Sequence, residues 1–96
     1  MPLDHRLREK RNAILEIARK HGATNVRVFG SVARGDDDAS SDIDLLVEFA
    51  PGGGLLRHAA LVRELEALLG RRVDVISDRG LRPRIRHRVL KEAIPL

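Results

Sequence analysis

Asn25-Val26-Arg27-Val28-Phe29-Gly30-Ser31, then ten residues, then Asp42-Ile43-Asp44-Leu45-Leu46-Val47-Glu48-Phe49 is the stretch that decides the fold. The first run alternates, is rich in β-branched and aromatic residues and stops at Gly30, which marks a short strand. Ser31 is placed to cap a short helical turn over Val32-Ala33-Arg34. The second run is apolar on both faces once past its start, the pattern of a central strand covered from two sides. Residues 35–41 between them form a polar loop containing Asp36-Asp37-Asp38.

Working outward, Leu7, Ile14, Ile17 and Ala18 recur at helical spacing between Asp4 and Lys20, with His21-Gly22 as the stop signal, which predicts one amphipathic helix. Downstream, Pro51-Gly52-Gly53-Gly54 ends the central strand. Leu61, Val62, Leu65, Leu68 and Leu69 then share one helical face up to Gly70. Arg72-Val73-Asp74-Val75-Ile76 predicts a third strand. Pro83 suits the first turn of a last helix whose inner stripe is Ile85, Val89 and Ala93. The expected order is α, β, short α, β, α, β, α: an α+β fold with helices flanking a small sheet, one domain over residues 1–96.

Composition sets the outer limits. The chain has 96 residues and two aromatics, Phe29 and Phe49, with no cysteine and no tyrosine. A chain of this length builds one core and leaves little material for a second lobe to hold a large acceptor. The lack of cysteine excludes disulfides, thiolate nucleophiles and cysteine-held zinc, and suits a reducing cytoplasm. No apolar h-region follows Met1, and no stretch approaches the ~20 apolar residues of a membrane span. With 18 Lys plus Arg against 14 Asp plus Glu, the formal charge is +4. That favours polyanionic partners, although two aromatics leave little for stacking bases.

The chemistry lies at the start of the central strand. Asp42 and Asp44 are two apart, so their carboxylates project from one face. At about 4 Å and an effective dielectric of about 20 their repulsion is on the order of 4 kcal/mol, less with solvent access, and a divalent cation is the natural neutraliser. Oxygen-only ligands favour Mg²⁺ or Mn²⁺. Asp74, alone between valines, becomes the third carboxylate if its strand lies beside the central one, which would complete a site for two ions. Upstream, Gly30-Ser31 turns from strand to helix where backbone N–H groups and the hydroxyl can meet an anion. Taken singly, Asp42 and Asp44 also read as turn caps, Gly30-Ser31 as an ordinary strand exit, and Asp74 as the partner of an arginine.

Gly30-Ser31, ten residues, then Asp42-x-Asp44 resembles the nucleotidyltransferase signature of the DNA polymerase β superfamily. Residues 29–35, 41–47 and 82–93 are similar to its minimal nucleotidyltransferases, and the resemblance covers essentially the whole chain. It implies the polymerase β-like fold in its minimal form, with a small mixed sheet. It further implies an antitoxin that transfers AMP from ATP to a tyrosine of a HEPN-type RNase toxin, in a hetero-oligomer with that toxin. By the same resemblance Asp42, Asp44 and Asp74 are metal-binding and catalytic, with Asp74 the candidate base. Gly30 and Ser31 hold the triphosphate, with Arg34 a further candidate nucleotide contact.

Alternatives stand beside this reading. Arg34 serves equally as a partner of the Asp36 to Asp38 loop, itself read as solvated. Arg79, Arg82, Arg84, Arg86, Arg88 and Lys91 make either a polar helix face or a partner surface. His5, His21, His58 and His87 lack metal-ligand spacing and are read as surface residues. The competing functions are an antitoxin that only binds its toxin and a basic nucleic-acid-binding module.

Overall fold

The computed structural model describes residues 5–36, 38 and 40–96. Helices α1 (His5–Glu9) and α2 (Arg11–Lys20) precede strand β1 (Ala23–Phe29), short helix α3 (Gly30–Arg34) and strand β2 (Ile43–Phe49). Helix α4 (Gly54–Leu69), strand β3 (Val73–Ser77), a 3₁₀ turn (Asp78–Gly80), helix α5 (Pro83–Glu92) and strand β4 (Ile94–Pro95) complete the chain. The sheet order is β3-β2-β1-β4. β1 runs antiparallel to β2 and β4, while β2 and β3 are parallel, so the sheet is mixed, as expected.

β2 is central because both of its faces are apolar. Ile43, Leu45 and Val47 join Val26 and Val28 of β1 and Val73 and Val75 of β3 in the main core, with Ile14 and Ala18 of α2 and Leu61 and Leu65 of α4. Leu46, on the opposite face, is buried with Leu81 and Val89, and Phe29, Ile76 and Leu90 pack against them. Helix α5 and the turn before it therefore cover only part of that second face. Asp44 and Asp74 belong to the same face by strand alternation.

Three expectations are corrected. The first helix is bent at Lys10, whose φ is −98° and ψ 11°. Backbone bonds Lys10 N–H to Arg6 O and Ile14 N–H to Lys10 O carry the chain through the bend. The Lys10 ammonium donates to Leu68 O at 2.8 Å, a contact to α4 that no local pattern encodes. Its expected start at Asp4 lies outside the described residues. In α5 the inner stripe reduces to Val89: Ile85 is 37% exposed and Ala93 already lies beyond the helix. Strand β4 was not expected; it pairs Ile94 and Pro95 with Val28 and Arg27.

Two histidines are not surface residues. His58 Nε2 sits 2.7 Å from Val75 O, so that nitrogen carries the proton and donates. Glu66 Oε2 accepts the Val73 N–H at 3.0 Å. These two α4 side chains cover the outer edge of β3, which would otherwise offer unpaired backbone groups. His21, whose side chain is largely buried, lies 3.2 Å from Glu64. Among the described residues no helix is long and apolar enough to cross a membrane.

Candidate active site

Register assembles the site. Phe29 of β1 pairs with Asp44 of β2, and Asp44 pairs in turn with Asp74 of β3. Residues opposite each other in a ladder share a face, so Asp44 and Asp74 stand side by side, and Asp42 lies two residues upstream on that face. β1 ends at Phe29 beside Asp44, so Gly30 begins α3 directly against the Asp44 carboxylate.

That contact explains the glycine. Gly30 has φ +75°, and a Cβ there would collide with Asp44 Oδ2 and lie 3.2 Å from its Cγ. Only a residue without a side chain lets the chain turn away while the carboxylate keeps its place. The expectation that Ser31 caps α3 is corrected: Phe29 occupies the cap position, no side chain caps the helix, and Ser31 lies within it. Gly35, with φ +77°, closes the far end.

The electrostatics follow from this crowding. The Asp44 carboxyl is held above its ordinary pKa, first by burial and then by repulsion from Asp74 and Asp42, with Arg34 acting in the opposite direction. Asp42 is relieved by Arg72, whose Nε lies 3.2 Å from Oδ1. Arg71 braces the preceding loop by donating to Ser41 O at 2.6 Å. Asp38 organises that loop: its Oδ1 accepts the Ser40 N–H at 2.9 Å and the Ser40 hydroxyl at 2.7 Å, bonds that lower its pKa. Asp36 and Asp38 are exposed, as the reading of a solvated loop expects, and Asp38 adds these local bonds, while Asp37 lies outside the described residues.

Arg34 pairs with Asp36 at 3.2 Å and with Glu92 of α5 at 3.5 Å, so its charge is shared between the loop and the last helix. Arg71 and Arg72 were missed from sequence. Their signal was the position of two arginines just before β3, which runs parallel to β2 and so starts beside Asp42.

The donor set suits a hard cation: carboxylate oxygens only, mutually repelling, one of them already drawing an arginine. Among the described residues, no three His, Asp or Glu side chains close into a ready-made cage. Mg²⁺ fits such a half-site, because it is commonly held by one or two carboxylates together with substrate phosphates and water.

The chain matches the nucleotidyltransferase domain family over residues 10–96. It is 41% identical over 88 residues to MJ0435 of Methanocaldococcus jannaschii, provisionally named a protein adenylyltransferase, covering 92% of this chain and 95% of that one. To the protein adenylyltransferase MntA of Thermococcus cleftensis it is 39% identical over 79 residues, 82% of this chain and 80% of the relative. A solved structure provisionally described as a minimal nucleotidyltransferase superposes with a TM-score of 0.85 at 59% identity, covering 94% of this chain and 92% of the other. A toxin–antitoxin crystal structure with AMP-PNP shares the fold at a TM-score of 0.75 and 23% identity, over 88% of this chain and 69% of its own. With its carboxylates in register across two parallel strands and a glycine turn folded against them, the chain belongs to the nucleotidyltransferase domain family.

Proposed function

We propose that this nucleotidyltransferase moves AMP from ATP to a hydroxyl of a partner protein, most simply a tyrosine of a HEPN-type toxin, and so acts as an antitoxin. The observation that carries the reading is the Phe29–Asp44–Asp74 register with Gly30 packed on Asp44. It brings two carboxylates and a strand-to-helix turn together, which supports reading them as metal ligands and a phosphate-holding turn. The adenylyltransferase names of the Methanocaldococcus and Thermococcus relatives support the choice of AMP and of a protein acceptor.

In this reading Asp42, Asp44 and Asp74 hold two Mg²⁺ ions, with Mn²⁺ as a substitute, and Gly30 and Ser31 hold the triphosphate. When bound, the ions offset the charge of the triphosphate and of the departing pyrophosphate. The chain's own work is positioning. Gly30 leaves room for the Asp44 carboxylate at the start of α3, and Ser31 follows it, partly exposed, in the first turn of α3. Arg34, near enough to bias Asp44, can exchange Asp36 for a phosphate oxygen. Arg72 leaves Asp42 once a cation takes its place. Asp74, exposed at the strand edge of the site, accepts the proton of the attacking hydroxyl. The acceptor oxygen bonds to the α-phosphorus while the bond from that phosphorus to pyrophosphate breaks, in line.

A tyrosine acceptor must come from outside, since the chain contains no tyrosine. The test is intact-mass analysis of the product of the adjacent gene, co-expressed with this chain or with its Asp42→Asn plus Asp44→Asn variant. The expected result is a mass gain in nucleotide-sized steps that the variant abolishes. An unmodified partner that still co-purifies with both forms would replace transfer with inhibition by binding.

A further inference from the structure

The net positive charge of this molecule arises in the segment formed by the 3₁₀ turn and α5. Residues 79–92 hold six of the 18 cations, Arg79, Arg82, Arg84, Arg86, Arg88 and Lys91, against one carboxylate, Glu92. Outside them the chain is close to electrically neutral. Elsewhere several cations have a carboxylate partner: Arg34 has Asp36, Arg72 has Asp42, Lys20 has Glu64 and Arg27 has Asp78. On α5 Arg86 has one, Asp78 Oδ1 at 2.8 Å. Arg84, Arg88 and Lys91 are exposed and have no carboxylate partner among the described residues.

Of these charges only Lys91, in the last turn, suits the helix dipole. No acid stands in the first turn of α5, where Arg84 and Arg86 oppose the positive end of the helix dipole. Arg84 and Arg88 repel each other at i, i+4. Arg84 and Arg88 thus cost α5 some stability, which an external counter-charge would offset. Positions 84, 88 and 91 form one stripe about 10 Å long. The stripe runs towards the site: Glu92, at the end of α5, contacts Arg34 of α3, and α3 begins at Gly30 against Asp44.

We propose that the Arg84-Arg88-Lys91 stripe, with Ile85 beside it, is the docking surface for an acidic face of the protein acceptor. A protein is favoured over nucleic acid by Ile85, a 37% exposed aliphatic set among arginines. Arginines around a small apolar centre are the makeup of a protein interface, whereas phosphate contacts have no use for it. Neither aromatic serves this face: Phe29 packs on the second core, and Phe49 stacks with His58 and Arg57. This rests on the reading of the chain as a protein-modifying enzyme, and it adds how the acceptor is recruited.

The test compares wild type with the exposed triple change Arg84→Glu, Arg88→Glu and Lys91→Glu, and with Arg84→Lys plus Arg88→Lys. Each is measured with the adjacent-gene product as acceptor. The charge reversal is expected to raise KM for the acceptor at least tenfold. It should leave kcat near wild type and MgATP stabilisation unchanged. The lysine variant should retain most of the affinity, and wild-type binding should weaken steeply with salt. Unchanged KM in the reversal, with the acceptor still modified, overturns the docking surface and leaves the adenylyl-transfer reading intact. A wild type that neither binds nor modifies that product overturns both. Binding of a labelled single-stranded RNA 20-mer that the reversal abolishes, with acceptor KM unmoved, overturns it in favour of a nucleic-acid contact.

Discussion

Gly30 and Asp44 are fourteen positions apart in the chain yet share one volume: where any other residue would carry its Cβ, Gly30 has the Asp44 carboxylate. Gly35, five residues on, has nearly the same backbone, φ +77°, with nothing within 4 Å of a Cβ placed there. The pair separates conformational strain from collision. Gly35→Ala should cost about 1–2 kcal/mol, the penalty for a left-handed L-residue. Gly30→Ala should cost more than Gly35→Ala, because the Asp44 side chain must also move. Adding Asp44→Ala should recover part of that excess, with a coupling of about 0.5–3 kcal/mol in a double-mutant cycle read by urea unfolding. Equal costs at the two glycines would show that Asp44 yields freely.

Among the elements, legibility followed locality. β1, α3 and β2 were readable because alternation, a glycine stop and a two-faced apolar run lie within the segments themselves. The carboxylate pair was readable for the same reason. Asp74 was readable only on condition that β3 pairs with β2, since parallel pairing is a long-range event that no neighbouring residue encodes. The bend at Lys10, the edge cover by His58 and Glu66, the Arg72–Asp42 bond and strand β4 were not legible, because each depends on contacts made after the sheet forms. Helix α5 shows the difference most clearly. Its inner stripe was read as three residues but is held by Val89, with Leu81 and Leu90 beside it, because arginines and Ile85 occupy the rest of its surface. So thin an attachment should come away on its own. Val89→Ala, losing about 1.5 kcal/mol of burial, should speed hydrogen exchange in α5 while leaving β2 protected. Leu61→Ala, in the main core, should cost about 2–5 kcal/mol and lower protection throughout. Equal loss of protection in α5 and β2 after Val89→Ala would mean that the last helix unfolds only with the whole.

For the whole molecule, the site is a local burden that its ligand should lift. Asp44 has its carboxyl pKa raised in the fold, so the folded state binds that proton more tightly than the unfolded chain does. Stability from this group is therefore greatest below the ordinary carboxylate pKa. It is lost as pH rises through the raised value, and the deficit is complete at neutral pH. Asp44→Asn removes the charge, so without ligand at pH 7 the variant should melt above wild type, and the gap should close as pH falls below the ordinary carboxylate range. MgATP reverses the order. A ligand at 100 times its Kd adds about 2.7 kcal/mol to the fold, which in a domain of this size raises Tm by about 10 °C or more. Wild type should show that rise and Asp44→Asn little of it, so the two melting curves should cross as MgATP is added at pH 7. Curves that keep their order at saturating MgATP would detach the nucleotide from Asp44, and with it the reason for keeping three carboxylates at one end of a sheet.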